Sequence, residues 1–368
     1  MSVIAEPSRP RSRVAFHQLK VASVLPACDD GSAVVVSLRV PVELRPTFDF
    51  VPGQHVTVRA TIADEEVRRS YSLCSTPSDL SDEGVLRIGV RAVPDGVFST
   101  YACTSLAAGD TLDVLAPLGS FTTAVRAERR RHYGAVVAGS GITPVLSLVA
   151  SVLAVEPQST FTVVYGNRFA RSTMFVDELA DLKDRYGARF QLVYAFSGED
   201  QREGLDRGRL DAETLAKVGS RVFPMDMIDE WFLCGPVGLV TGTQDMLTAL
   251  GVDPESVHSE LFYVGEAPPP RVSTEAASGV LTVMLEGRAS TVPVAKGQNL
   301  LQAARAARPE VPFSCSTGVC GTCRAKVLHG RTEMTGNWAL SAAEVAAGQV
   351  LTCRSTAETD DVTLDFDL

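Results

Sequence analysis

The apolar and polar positions of this chain change rhythm twice. Up to about position 118, apolar residues fall in short alternating runs, "AVVVSLRV", "HVTVRAT", "VLRIGVRAV" and "DTLDVLAPLG", punctuated by Pro and Gly. Alternation with period two and frequent turn residues predicts an antiparallel β-barrel, which we bound at residues 14–125. From Tyr133 the runs become continuously apolar: "YGAVVAG", "TFTVVYG", "RFQLVYAF" and "EWFLCG". Such runs mark parallel strands buried on both faces. Helical stretches such as "PVLSLVASVLAV" and "FVDELADLKDRYG" lie between them, so residues 130–265 read as a Rossmann-like α/β domain. "APPPRVSTEAAS" within 266–278 reads as a linker, stiff and then flexible. Beyond it, "GVLTVMLEG", "ASTVPVA" and "NLLQAARAA" predict a hairpin and a helix, giving a small β-grasp-like α+β domain over 279–368.

Composition narrows the function classes. The 368 residues are 45% hydrophobic and 21% charged, which predicts globular domains rather than disorder. A formal net charge of -10 disfavours nucleic acid and anionic membrane surfaces as partners. No run reaches the ~18 apolar residues of a membrane helix, and "MSVIAEPSRPRSRVAF" has no apolar core of a signal peptide. The expectation is a cytoplasmic protein, where clustered cysteines bind metal or do redox chemistry.

Four of the eight cysteines, Cys315, Cys320, Cys323 and Cys353, follow the pattern C-x4-C-x2-C and then a distant C. Structural zinc sites favour two close pairs, whereas three crowded thiols and one remote thiol match plant-type [2Fe–2S] spacing. Gly318 and Gly321 would let the loop wrap closely around a cluster. The bland alternative is a zinc-stabilised adaptor without redox activity. Cys28, Cys74 and Cys103 are scattered and read as buried hydrophobes.

An iron–sulfur cluster passes single electrons and a nicotinamide passes a hydride, so a flavin is expected between them. "RRSYSLCSTP" supplies Arg69, Tyr71 and Ser72 as R-x-Y-S on an alternating strand. Alternation puts Arg69 and Tyr71 on one face, a cation for a pyrophosphate beside a ring that can stack on a flavin. "VRAVPDGVFSTY" adds Gly96 and Ser99 at the start of a short helix, whose N–H groups and hydroxyl suit a pyrophosphate. R-x-Y-S taken alone is also compatible with a surface arginine beside a core tyrosine.

In the α/β segment, "VVAGSGITPVLSLV" places Gly139, Ser140, Gly141 and Thr143 between a strand and a helix. Pro144 stands where a third glycine would complete G-x-G-x-x-G, so the turn only approximates that fingerprint. Arg168, Arg171 and Ser172 follow the next strand, and a cation there suits the 2′-phosphate of NADPH, with NADH possible. "WFLCGPVGLV" brings Cys234, Gly235 and Pro236 to the end of a later strand, where Cys234 would face a nicotinamide. Glu260 and Phe262 in "VHSELF" fall at a possible flavin edge, or simply on a closing strand.

Taken in order, these motifs resemble the ferredoxin–NADP reductase superfamily with a C-terminal plant-type ferredoxin domain, over about Val14 to Leu368. Within it the carrying stretches, "YGNR…MFVDELADLKDRYGARFQLVY", "GRLDAETL", "WFLCGPVGLV" and "FSCSTGVCGTCRAKVLHGRTEMTGNWALSAAEVAAGQVLTC", look most like reductases of phenylacetyl-CoA epoxidase complexes. The ketosteroid 9α-hydroxylase reductases are similar in domain order. The resemblance implies an enzyme passing electrons from NADPH through FAD and [2Fe–2S] to an oxygenase partner, a di-iron enzyme of phenylacetate degradation. It implies that Arg69, Gly96 and Ser99 hold the FAD pyrophosphate, Tyr71 stacks on the flavin and Ser72 approaches its N5. Gly139 to Thr143 would hold the NADPH diphosphate, Arg168 and Ser172 the 2′-phosphate, and the four clustered cysteines the iron.

Overall fold

The computed structural model describes residues 15–198, 210–211, 213–217, 225–262 and 277–367. The chain divides into two compact units, one spanning Gln18–Glu266 and one holding the C-terminal strands. Most of the expected linker, and much of "GRLDAETL", lie outside the described residues. The last two positions assigned to the linker, Ala277 and Ser278, instead begin a strand.

The first unit contains two sheets. Six antiparallel strands, β1 (His17–Pro26), β2 (Ala33–Arg39), β3 (His55–Ile62), β4 (Glu65–Ser72), β5 (Val85–Arg91) and β6 (Thr111–Val114), run in the order β4-β3-β6-β1-β2-β5. A bridge between Leu73 and Ile88 brings the two edges together, so the sheet curls into a barrel. Alternation along these strands sends Leu19, Val36, Val56, Val58 and Ile88 into a closed core capped by Phe98 of helix α1 (Val97–Thr104).

Five parallel strands follow: β7 (His132–Ala138), β8 (Thr160–Asn167), β9 (Phe190–Phe196), β10 (Glu230–Gly235) and β11 (Val257–Leu261), in the order β11-β10-β7-β8-β9. Order reverses between β7 and β10, and a ligand crevice opens at such a switch beyond the carboxyl ends of the strands. β10 is buried at all six positions, which is why its sequence shows no alternation. Helix α2 (Ile142–Val155) is apolar almost all round because both of its sides are covered. Its Ser147 hydroxyl donates to the Ser75 carbonyl at 2.6 Å, tying the helix to the chain leaving β4. Helix α3 (Val176–Tyr186) carries acids in its first turn and bases in its last, matching the helix dipole. Helix α4 (Val237–Ala249) starts directly after β10, with Pro236 as its N-cap residue.

The second unit has a mixed sheet in the order β13-β12-β18-β14-β16, built from β12 (Ala277–Leu285), β13 (Arg288–Ala295), β14 (Arg324–His329), β16 (Gln349–Leu351) and β18 (Asp361–Asp365). Strands β15 (Thr332–Met334) and β17 (Ser355–Ala357) form a separate pair. Helix α5 (Leu300–Ala307) buries Leu300, Leu301, Ala303 and Ala304 against the sheet. Its cap Asn299 accepts from the N–H groups of Leu301 and Gln302 and donates to the Cys353 carbonyl. Among the described residues no helix is long and apolar enough to cross a membrane.

Candidate functional site

The barrel presents its candidate residues at the end of β4. Arg69 is exposed and its guanidinium donates to the Arg68 carbonyl at 2.7 Å, leaving most of its donors directed outward. Tyr71 packs on Phe98 with ring centroids 5.5 Å apart. Burial raises its phenol above the ordinary range, against the pull of Arg69, so the ring stays neutral. The buried Ser72 hydroxyl donates to Glu260 Oε2 at 3.0 Å, joining β4 to β11 across 188 positions of sequence.

Opposite Ser72 in the β3–β4 register stands His55, which the sequence reading did not single out. Its Nδ1 lies 3.7 Å from Glu260 Oε1, and neither ring nitrogen has a hydrogen-bond partner among the described residues although the residue is only 4% exposed. A buried imidazole without partners is costly unless something else fills the site, which is what an absent polar cofactor would do. Its signal in "GQHV" was a histidine within an apolar alternation.

The turn at Gly96 departs from its expected role in one respect. Ser99 is buried, and its hydroxyl donates to the Gly96 carbonyl at 3.2 Å and accepts from the Val93 N–H at 3.3 Å. Both bonds stay inside the turn, so Ser99 shapes the helix start rather than offering a free hydroxyl. Gly96 has no room for a side chain, since a Cβ there would lie 2.3 Å from Ser99 Oγ. An open groove of about 380 Å³ runs past Gly96, Thr100 and Tyr101.

A second cleft, of about 650 Å³, opens beyond the ends of β7, β8 and β10. Gly139, Ser140, Arg168, Ser172, Gly235 and Pro236 all line it. Phe262 also reaches its wall, whereas Glu260 sits beside Ser72. Three other expected residues do not line the cleft. The Thr143 hydroxyl is spent on the Ser140 carbonyl at 3.0 Å. Cys234 is fully buried, and burial pushes its thiol well above its ordinary value, so it packs the cleft floor as a neutral group. Gly141 instead allows two turns to touch: a Cβ there would stand 2.3 Å from the Cys234 carbonyl oxygen. Replacing Gly141 by alanine is expected to destabilise this unit by about 1–3 kcal/mol or more, because backbone must move to admit the methyl. Thermal unfolding of Gly141→Ala checks this, and an unchanged melting temperature would contradict it.

Two cleft residues were missed. Arg91, at the end of β5 in the barrel, donates to the Ser172 carbonyl and keeps a buried Nε without a partner among the described residues. Asn167 ends β8 with its Nδ2 likewise buried and without a hydrogen-bond partner among the described residues. Around them Phe169 lies under two guanidinium groups, Arg168 at 5.2 Å and Arg171 at 4.6 Å from its ring centroid. Unpartnered donors beside paired cations describe a wall suited to a polyanion.

In the second unit the four clustered cysteines come together. Cys315 contacts Cys320 through their thiols, and Cys323 contacts Cys353. Two thiol pairs suit two irons, each taking two protein thiolates. Among the described residues no three His, Cys, Asp or Glu side chains converge as a mononuclear metal point. Gly318 and Gly321 have φ angles of 89° and 66°, which let the loop turn between ligands. The Thr317 N–H points at Cys315 Sγ at 3.4 Å, and the buried Ser314 hydroxyl has no partner among the described residues. The loop therefore offers donors where thiolate and sulfide charge would accumulate.

Three family models match the chain in order. They are an oxidoreductase FAD-binding domain over residues 29–123, an oxidoreductase NAD-binding domain over 136–245 and a 2Fe-2S iron-sulfur cluster binding domain over 283–358. The chain is 39% identical over 356 residues to one of the subunits of the 1,2-phenylacetyl-CoA epoxidase of Escherichia coli K12, covering 96% of this chain and 98% of that one. It is 31% identical over 375 residues to the 3-ketosteroid-9-alpha-monooxygenase ferredoxin reductase component of Rhodococcus rhodochrous, with both chains covered in full. A solved phthalate dioxygenase reductase shares the fold with a TM-score of 0.57 at 24% identity, covering 95% of this chain and 98% of that one.

Proposed function

The chain belongs to the ferredoxin reductase superfamily and carries a C-terminal [2Fe–2S] domain, and from that premise we propose that it serves an oxygenase as its NADPH-dependent reductase. It is an oxidoreductase moving electrons from NAD(P)H through FAD to [2Fe–2S]. FAD, when bound, supplies the conversion of a hydride into single electrons.

In this reading Arg69 holds the FAD pyrophosphate and Tyr71 lies along the isoalloxazine. The Ser72 hydroxyl, oriented by Glu260, marks the hydride-accepting position. Gly96 and the first turn of α1 border the pyrophosphate, with Ser99 fixing that turn. Gly139, Ser140, Gly235 and Pro236 border the NADPH diphosphate and nicotinamide, while Gly141 sets their spacing and Cys234 excludes water beneath. Arg168 and Ser172, with Arg91 and Asn167, face the adenosine phosphates. Cys315, Cys320, Cys323 and Cys353 hold the cluster.

The observation that carries NADPH over NADH is Arg168 on the cleft wall, backed over the Phe169 ring by Arg171, a cationic pair suited to a 2′-phosphate. The partner is argued from similarity: the relative at 39% identity belongs to a phenylacetyl-CoA epoxidase. A steroid monooxygenase is the second reading, favoured by the 31% match over the full length. Mixing the purified reductase with the oxygenase components of each system and NADPH decides between them. Epoxide formation from phenylacetyl-CoA supports the first. Steroid hydroxylation without epoxidation supports the second and removes the first.

A further inference from the structure

Each of the two ligand cysteines latest in the chain is followed directly by an arginine, Arg324 after Cys323 and Arg354 after Cys353. The structure turns the Arg324 guanidinium back onto the cysteine loop, and lays the stem of Arg354 against the loop with its guanidinium at the neighbouring Thr335–Trp338 segment. Arg324 donates through Nε to the Gly321 carbonyl at 3.3 Å and through Nη1 to Glu344 Oε1 at 2.9 Å. Its Nη2 is buried without a hydrogen-bond partner among the described residues and lies 3.2 Å from where a Cβ on Gly321 would stand. Arg354 packs its stem on Gly318, with Cγ 2.9 Å from a Cβ built there. Its guanidinium donates to the Thr335 carbonyl through Nε at 2.9 Å and Nη2 at 2.6 Å. Among the described residues Arg354 has no carboxylate partner, whereas Glu344 offsets Arg324 and is itself held by Ser341 in a capping box.

We propose that Arg324 and Arg354 hold up the reduction potential of the cluster, and that Glu344 attenuates the first of them. The inference rests on the reading that the four cysteines carry [2Fe–2S]. Reduction adds one electron to a centre that four thiolates already make anionic, so a fixed cation beside the loop stabilises the reduced state more than the oxidised one. A single N–H bond to Gly321 and a surface ion pair would explain Arg324 as a structural brace. They do not explain the buried Nη2, nor a second arginine packed on Gly318 that, held by the Thr335 carbonyl and 6.0 Å from the Trp338 ring centroid, has no carboxylate partner among the described residues.

The test is a dye-equilibrated redox titration of the whole protein, following the cluster by low-temperature EPR. Wild type without a cluster signal would remove the cysteine reading itself. With the signal present, Arg324→Gln and Arg354→Gln are expected to lower the midpoint, each by about tenfold in the dye–cluster equilibrium, or about 59 mV for one electron. Glu344→Gln is expected to raise it, and Arg324→Lys to stay near wild type. Opposite signs for Arg324→Gln and Glu344→Gln are the signature, because losing a mere brace would move both the same way. If Arg324→Gln fails to assemble a cluster, Glu344→Gln and Arg354→Gln still decide the sign. Unshifted or same-sign potentials in the variants that retain the cluster would overturn the proposal.

Discussion

Replacing Cys323 by serine is expected to abolish electron delivery to one-electron acceptors such as cytochrome c while leaving flavin reduction by NADPH intact. Cys323 is 2% exposed, contacts Cys353 and lends its carbonyl to the Thr352 hydroxyl at 2.9 Å, so it is the hinge between the loop and the distant ligand. Outer-shell partners of a metal typically cost ~10–100-fold when removed, and a ligand should cost at least that. The two units are separately compact, so damage to the cluster loop should leave the flavin and nucleotide clefts folded. Stopped-flow reduction of the flavin and steady-state cytochrome c reduction, measured on one preparation, separate the two halves. Retained cytochrome c reduction would show that electrons leave from the flavin and that the cluster is a bystander.

The second large effect concerns the coenzyme. Arg168→Ala is expected to raise KM for NADPH about tenfold, with kcat and the NADH parameters little changed. A hydrogen bond to a charged group is worth about 1.5–3 kcal/mol, but Arg168 is exposed and solvent screens it, so the lower end applies. Arg171 also lies over the Phe169 ring, 4.6 Å from its centroid, and should retain part of the discrimination. An equal loss for NADPH and NADH would mean that Arg168 touches the shared diphosphate and not the 2′-phosphate. No loss for either would make it a solvated loop residue.

How much of this was readable in the sequence follows from what each feature depends on. Buried parallel strands declare themselves locally, since a strand covered on both faces, such as β10, must be apolar at every position. Cysteine spacing is legible for the same reason: three ligands from one loop need fixed intervals. Side-chain commitments are not local. The Ser72–Glu260 bond joins residues 188 apart, and Arg91 reaches the nucleotide cleft from a barrel strand. Neither has a spacing rule. Ser99 and Thr143 were legible as hydroxyls near glycine turns, yet their hydroxyls are consumed by carbonyls three residues back, at Gly96 and Ser140. Sequence pattern locates such a hydroxyl without telling whether the turn itself uses it. His55 is the opposite case, a residue with no motif that becomes conspicuous only because nothing in the fold satisfies it.

The relay from nicotinamide to cluster stands or falls on one anaerobic titration: NADPH added stepwise to the purified protein, with visible and EPR spectra recorded at each step. Flavin bands are expected to bleach with a cluster signal rising in the same additions, complete at about one to two equivalents because two carriers share electron pairs. NADH should give the same end point at higher concentration. A flavin that bleaches while the cluster signal never appears, or a colourless protein that carries zinc, would contradict the relay.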